Sequence, residues 1–168
     1  MSISMIQATS PRFVNGLRNL SHLLKHAEAQ ALSKRYDPAA LLQARLYPDM
    51  FPLVRQVQIC CDTAKGAVAR LAGVEVPKHE DTETCFADLQ ARIKKTIDFI
   101  EHLDATKLDG SETRAIHLKV GGKELHFVGS QYLMGWAWPN FHFHMVTAYC
   151  ILRHNGVPLG KADFLGEV

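Results

Sequence analysis

The sequence has few cysteines, and several common catalytic motifs are missing from it. Its four cysteines, Cys60, Cys61, Cys85 and Cys150, match neither a zinc-ligand spacing nor a disulfide framework, so a reduced, cytoplasmic setting is the simplest interpretation. A glycine-rich phosphate loop, a serine nucleophile elbow and an HExxH motif are absent. These absences argue against the enzyme classes that such motifs mark, and they name no reaction.

Charge and hydropathy are ordinary for a globular protein, with 21% charged and 47% hydrophobic residues. The net charge is +2 and no long basic run is present, so we expect no nucleic-acid partner. No apolar run is long enough to cross a bilayer, and the N-terminus lacks a signal-peptide pattern, so we expect no membrane partner. The length of 168 residues suits a single domain over residues 1–168.

Hydrophobic periodicity predicts four helices, over residues 10–31, 49–71, 83–103 and 138–154. Each segment has an apolar residue every three or four positions, which is typical of a helix that packs on one face. Ser10-Pro11 reads as a helix start, because a capping residue precedes a proline in the first turn. Four such helices with short connections predict a helical bundle.

Residues 112–128 change to a two-residue period, which predicts a β-hairpin. Gly121-Gly122 lies between the two alternating segments and suits a tight turn, because both central positions of that turn need a positive φ. The turn predicts three cross-strand pairs, which are Lys119 with Glu124, Leu118 with Leu125, and His117 with His126. A lone ribbon is marginal in water, so we expect it to pack on the bundle or on a partner subunit.

The last helix carries the best lead to chemistry, His144, at the edge of its apolar seam. Asn140 lies one turn earlier, so both side chains can point into the same gap between helices. His144 is either a metal ligand or general base, or a core-edge histidine satisfied by a polar neighbour, and we favour the latter. Gln58 and Asp62 lie on a polar stripe that either pairs its own charges or faces the gap of His144.

The remaining histidines carry weaker signals. His142 lies about 160° around the helix from His144, so the two cannot hold one ion. His117 and His126 form at most a two-ligand surface pair, and catalytic zinc needs three protein ligands. His22 and His26 are spaced i, i+4 on the first helix, a geometry that can bind a metal but that often arises by chance.

Three stretches, over residues 56–66, 139–144 and 147–160, resemble one known family. It is an uncharacterised bacterial domain-of-unknown-function family within the DinB/YfiT-like superfamily. The resemblance covers essentially the whole chain and implies a four-helix bundle of a kind that commonly forms homodimers. Many superfamily members hold a metal with three histidines, and some are metal-dependent thiol transferases or hydrolases.

Only one of the three implied histidine positions is a histidine in this sequence. His144 matches the second histidine of the last helix, Asn140 falls on the first, and Gln58 or Gln56 falls near the second-helix position. One imidazole with two amides is a poor zinc or nickel site, but it makes a reasonable hydrogen-bonded cluster. The resemblance therefore supports the fold and weakens the expectation of a catalytic metal.

We predict an all-α, DinB-like four-helix bundle with a small β-hairpin between helices 3 and 4. The predicted function is a homodimeric module, without a metal cofactor, that binds a small molecule or another partner through a pocket lined by Gln58, Asp62, Asn140 and His144. The alternative is a metal-dependent hydrolase or thiol transferase with His144 as a zinc or nickel ligand, completed by Asp62 or a hairpin histidine. A third interpretation, a purely structural dimer, rests on the aromatic cluster around Trp136.

Overall fold

A computed structural model describes residues 3–166, which are mostly helical and contain one antiparallel hairpin. The α-helices of this part of the chain are α1 (Met5–Ala8), α2 (Ser10–Ser33), α3 (Ala39–Leu42), α4 (Leu53–Ala72), α5 (Phe86–His102), α6 (Gly129–Tyr132), α7 (Trp138–His154) and α8 (Lys161–Leu165). The strands β1 (Ala115–Val120) and β2 (Lys123–Val128) lie between α5 and α6. The predicted count of four covers the four long helices. The sequence also indicated short helical turns around Leu41 and over residues 132–136, and the structure has α3 and a π-helical turn at these places.

Local chemistry explains where the helices begin and end. Thr9, rather than Ser10, is the residue before α2, and Pro11 occupies the first turn, where its missing N–H is not needed. α4 begins only after Pro52, four residues later than predicted, and ends at Gly73, whose φ of 68° is left-handed. The carboxylate of Asp88 accepts backbone N–H groups just before α5 and so defines its start.

α4 is the central helix of the fold. It packs against α7 on one side and α5 on another, while α2 packs against α5. Most of its 20 residues are buried, including the polar residues Gln56, Gln58 and Lys65. Because α4 has neighbours on several sides, its polar side chains face different helices depending on their position in the turn.

The hairpin has the predicted register, with His117 opposite His126. The φ angles of Gly121 and Gly122 are 56° and 80°, as the tight turn requires. The ribbon packs on its own chain, because Ile116 is buried and the ring of Phe127 lies 6.0 Å from that of Trp136. Of the two expected locations, the bundle or a partner subunit, these contacts place the hairpin on its own bundle.

A π-helical turn over Leu133–Ala137 leads into α7, and Pro139 lies in the first turn of that helix. The ring of Trp138 stacks on Phe13 at 4.4 Å, and its indole N–H donates to the carbonyl of Ala8. The aromatic cluster thus packs within its own chain. Across residues 3–166, no helix is both long enough and apolar enough to cross a membrane.

Candidate functional site

α7 presents His144 to α4, where the side chain is buried with 8% of its surface exposed. Its Nδ1 lies 2.7 Å from Oε1 of Gln56, and Nε2 of Gln56 donates to the carbonyl of Phe51 at 2.9 Å. Because Phe51 offers only an acceptor, the amide orientation is determined and Nδ1–H of His144 must be the donor. Nε2 of His144 makes no hydrogen bond within the described part of the chain.

The surroundings of His144 keep its imidazole neutral. Burial lowers the pKa of His144 below its ordinary value, and the positive charge of Arg55 lowers it further. One aromatic side chain stands beside it, since the ring of Phe143 lies 5.1 Å from the imidazole. His144 is thus a hydrogen-bonded imidazole whose neutral form is favoured, beside the exposed ring of Phe143.

Gln58 and Asp62 make their hydrogen bonds with groups other than His144, and Oε1 of Gln58 accepts from Arg55 at 3.1 Å. Nε2 of Gln58 donates to Glu83 at 2.8 Å, and Asp62 accepts from the guanidinium of Arg92 at 2.9 Å. Gln56 and Gln58 point in different directions because two residues correspond to about 200° around a helix. The structure therefore does not bring Gln58, Asp62 and His144 into one hydrogen-bonded cluster within residues 3–166. This differs from the second sequence interpretation, in which Gln58 and Asp62 face the gap of His144.

The Arg92 network is the group that holds Gln58 and Asp62. The side chain of Arg92 is 2% exposed and pairs with Asp62, with Asp81 at 3.0 Å and with Glu83 at 2.9 Å. Arg92 also donates to the carbonyl of Glu80 at 3.0 Å. A buried guanidinium with this many acidic partners joins α4, α5 and the segment between them. Along α4 itself, Asp62 pairs with Lys65 at 2.6 Å, which matches the interpretation of a stripe that pairs its own charges.

Asn140, the remaining candidate, donates from Nδ2 to the hydroxyl of Thr63 at 3.2 Å. Gln56 and Asn140 are thus both amides engaged with protein groups, and Asp62 is engaged by Arg92. Among residues 3–166, no group of three histidine, cysteine or carboxylate ligands includes His144. These residues do not fit the three-histidine metal that the superfamily resemblance implies.

The adjacent cysteines, Cys60 and Cys61, are buried, and their thiols do not serve as nucleophiles. Burial raises the pKa of the Cys61 thiol to about 12, with the neighbouring hydroxyl of Thr96 acting in the opposite direction. Cys60 is likewise buried, and its pKa is raised well above the ordinary value by burial. Neither thiol ionises near neutral pH.

A groove that sequence reasoning missed lies between α2 and α7, with walls from α1 and α8 and a volume of about 1270 Å³. We call it the α2–α7 groove. Its lining residues come from distant parts of the sequence, which is why periodicity within one helix did not reveal it. The floor contains Leu133, Trp138, Phe141 and Met145, and the rim contains Arg12, Asn15, Asn19 and His142.

Close packing beneath the groove holds its floor in place. A Cβ at Gly16 would lie only 2.7 Å from the ring of Phe141, so glycine lets that ring approach α2. Phe141 packs edge-on against Phe13 at 5.2 Å. On the rim, Nδ1–H of His142 donates to the carbonyl of Trp138 at 2.9 Å. The sequence signal for this site was the position of His142 on the flank opposite His144.

Comparisons with known proteins agree with this architecture. The model of a domain of unknown function, DUF1993, matches residues 5–165. The chain is also similar to a DinB family member protein from Shewanella denitrificans, for which there is a crystal structure, with 41% sequence identity and a TM-score of 0.87. The match covers 97% of this chain and 92% of that one. No curated protein matches the chain.

Proposed function

This chain belongs to the DUF1993 family and is a DinB-like protein, and we propose that it binds a small amphipathic molecule in the α2–α7 groove. The groove itself is the observation that carries the proposal. Its volume of about 1270 Å³ is ample for a small molecule, since ligand sites in proteins span about 300–1,000 Å³. An apolar floor with a few polar groups on its rim is the usual composition of such a site.

The lining defines the chemistry of the ligand. Trp138 and Phe141 offer ring faces and edges to an apolar or aromatic body. Arg12 and Asn15 stand on the rim as hydrogen-bond donors, and neither makes a side-chain hydrogen bond within residues 3–166. Asp109 and Glu112 also line the groove, so the head of the ligand must be held beside Arg12 and Asn15. A ligand with an apolar body and an anionic or hydrogen-bond-accepting head at that end suits this arrangement.

The residues first predicted from the sequence define a competing location for the same function. Nε2 of His144 makes no hydrogen bond within residues 3–166 and the ring of Phe143 lies beside the imidazole, which favours a small aromatic or polar ligand there. Gln58, Asp62 and Asn140 would then act through α4 rather than by contact with His144. The metal-dependent hydrolase or thiol transferase has less support, because His144 lacks companion ligands in the described part of the chain.

Titration with 8-anilinonaphthalene-1-sulfonate, an aromatic sulfonate, tests the groove. Asn15→Phe places a large side chain in the groove, and Ala29→Phe adds the same ring to an exposed position on α2 outside it. We expect saturable binding that Asn15→Phe weakens at least about tenfold and Ala29→Phe leaves unchanged. Equal binding by both variants, or loss of binding in His144→Gln alone, would move the site away from the groove.

We further propose that the protein is a homodimer through an apolar face beside His144. Phe51, Phe143 and Val146 are large hydrophobic side chains with exposures of 55%, 58% and 44%. Phe143 and Val146 are three residues apart on α7, so they share a face, and Phe51 is joined to that side through Gln56 and His144. Large exposed apolar side chains that share a face, as Phe143 and Val146 do, are typical of protein interfaces.

Sedimentation velocity at micromolar concentration tests the homodimer. We expect the wild-type chain to sediment as a dimer and Phe143→Ser to sediment as a monomer. Leu32→Ser is the matched control, because Leu32 is 63% exposed on α2 and belongs to a different face. A monomeric wild-type protein, or a Phe143→Ser variant that stays dimeric, contradicts the proposed interface.

A further inference from the structure

A histidine and carboxylate cluster lies where α8 packs on α2, outside both candidate ligand sites. His22 and His26 are one turn apart on α2, and their rings are 4.4 Å apart. Asp163 comes from α8, and its Oδ1 lies 3.3 Å from Nε2 of His22. One ligand atom from each of the three side chains lies within 4.8 Å of the others.

We propose that His22, His26 and Asp163 form a binding site for a divalent transition metal of the zinc or nickel type. Two imidazoles and one carboxylate are ligands that such ions favour. Tetrahedral zinc has bonds of about 2.0–2.2 Å to these atoms, which places neighbouring ligand atoms about 3.3–3.6 Å apart. The 3.3 Å separation between His22 and Asp163 already meets this spacing.

Only side chains that are free to move need to shift to bring all three ligand atoms to the zinc spacing. His22 and His26 are both exposed, so their rings can change rotamer without disturbing the core. The site is open to solvent on one side, which leaves a coordination position for water. Three protein ligands and a water complete a four-coordinate shell.

The backbone around the site holds the carboxylate in place. Oδ2 of Asp163 accepts the N–H of Gly160 at 2.7 Å, which lowers the pKa of this carboxyl and leaves Oδ1 free to face the histidines. The amide of Asn19 donates to the carbonyls of Phe164 and Leu165 at 3.1 and 2.7 Å, and so holds α8 against α2. The third ligand is thus positioned across 141 residues of sequence before any metal binds.

A metal at this site would fasten the C-terminal helix to the body of the fold. α8 is only five residues long, and Phe164 and Leu165 also line the α2–α7 groove. Bound metal would therefore stiffen one wall of the groove. The metal site itself depends only on the three side chains, so it stands whether or not the groove binds a ligand.

Zinc titration of the full chain, produced without a histidine tag and stripped with chelator, tests the site. Competition with a chromophoric chelator gives stoichiometry and affinity for the wild type, His26→Gln and Asp163→Asn. The matched control is the double variant His117→Gln and His126→Gln, which removes the other close histidine pair. We expect one zinc per chain, weakened at least about tenfold by each site variant and unchanged in the control.

Tryptic cleavage after Lys161 supplies a second measurement, because this bond lies at the start of α8. Zinc should slow the cleavage in the wild type and leave the rate unchanged in His26→Gln. Circular dichroism verifies that both site variants keep the fold. Absence of zinc binding, equal binding by His26→Gln and the wild type, or loss of binding only in the hairpin control would overturn the proposal.

Discussion

The Arg92 network and the α2–α7 groove use polar side chains in opposite ways. In the network, a guanidinium with 2% exposure is surrounded by Asp62, Asp81 and Glu83, so its charge is already paired within the protein. In the groove, the polar side chains stand at the edge of an apolar floor, where a ligand can reach them. The comparison shows that the polar stripe of a central helix can form ion pairs within the protein, while a surface suited to ligand binding lies elsewhere.

Replacing the centre of the network should give the largest change in stability. Arg92→Met leaves the carboxylates of Asp62, Asp81 and Glu83 without their partner, and we expect a loss of about 3–5 kcal/mol in the free energy of unfolding. Urea denaturation followed by circular dichroism measures the loss. If the folded fraction permits, probe binding in the groove should be unchanged.

The control for Arg92 is Lys94→Met, which breaks a pair between Lys94 and Asp98 on the surface of the same helix. We expect this change to cost no more than about 0.5 kcal/mol, because exposed ion pairs contribute little. Equal effects of the two variants would show that the buried network does not have the structural role assigned to it.

The second effect concerns the pair on the other face of α4. Gln56→Ala removes both the acceptor of the His144 N–H and the donor to the Phe51 carbonyl, so we expect a loss of about 1–3 kcal/mol. Gln43→Ala, at an exposed position, should stay within about 0.5 kcal/mol of the wild type. A Gln56 variant as stable as the Gln43 variant would mean that this hydrogen-bonded pair is not formed in solution.

The third expected effect is a pH dependence of the free energy of unfolding, which comes from His79 on the side of the Arg92 network. Burial lowers the pKa of His79 to about 4, and the charges of Lys65, Lys95 and Arg92 lower it while Asp62 opposes them. The unfolded chain takes up this proton near the ordinary pKa of about 6.5. The contribution of His79 to the free energy of unfolding is therefore complete above pH 6.5, and it is lost as the pH falls toward 4.

Denaturation curves recorded between about pH 7.5 and about pH 4.5 measure this dependence, because that interval of about three units spans the ordinary histidine pKa. His79→Gln should reduce the slope, because the glutamine takes up no proton. His144 supplies part of the remaining slope, since its pKa is also lowered by burial. An unchanged slope in His79→Gln would contradict the burial of this imidazole among positive charges.

The smallest change in stability is expected on the groove side. Arg12→Ala removes an exposed side chain from the rim, so the free energy of unfolding should stay within about 0.5 kcal/mol of the wild type. Binding of the aromatic sulfonate should nevertheless weaken, because the guanidinium is the cationic group of the rim. Isothermal titration measures both affinity and enthalpy, and unchanged affinity would remove Arg12 from the site.

Features that depend on local sequence could be predicted. The apolar spacing of α2, α4, α5 and α7 reflects one buried face, and Gly121-Gly122 determines the hairpin register through the φ angles of its turn. Both signals lie within a few residues of the structure that they specify. The start of α4 was harder, because Pro52 delays a helix whose apolar pattern begins earlier.

Features that depend on distant segments could not be predicted in the same way. The choice between Gln56 and Gln58 as the partner of His144 depends on how α4 and α7 are rotated against each other, and the sequence left both open. The contact of His22 with Asp163 and the groove between α2 and α7 join the two ends of the chain. Helical periodicity identifies a buried face, but it does not identify the segment that covers it.

The central claim is that the α2–α7 groove, rather than the surroundings of His144, is the binding surface. The most direct test is to map chemical-shift changes in a ¹H–¹⁵N spectrum while the aromatic sulfonate is added to the wild-type protein. The account predicts saturable shifts that cluster at the backbone amides of Asn15, Gly16 and His142 and at the indole N–H of Trp138. Shifts that cluster instead at Gln56 and His144 would contradict it.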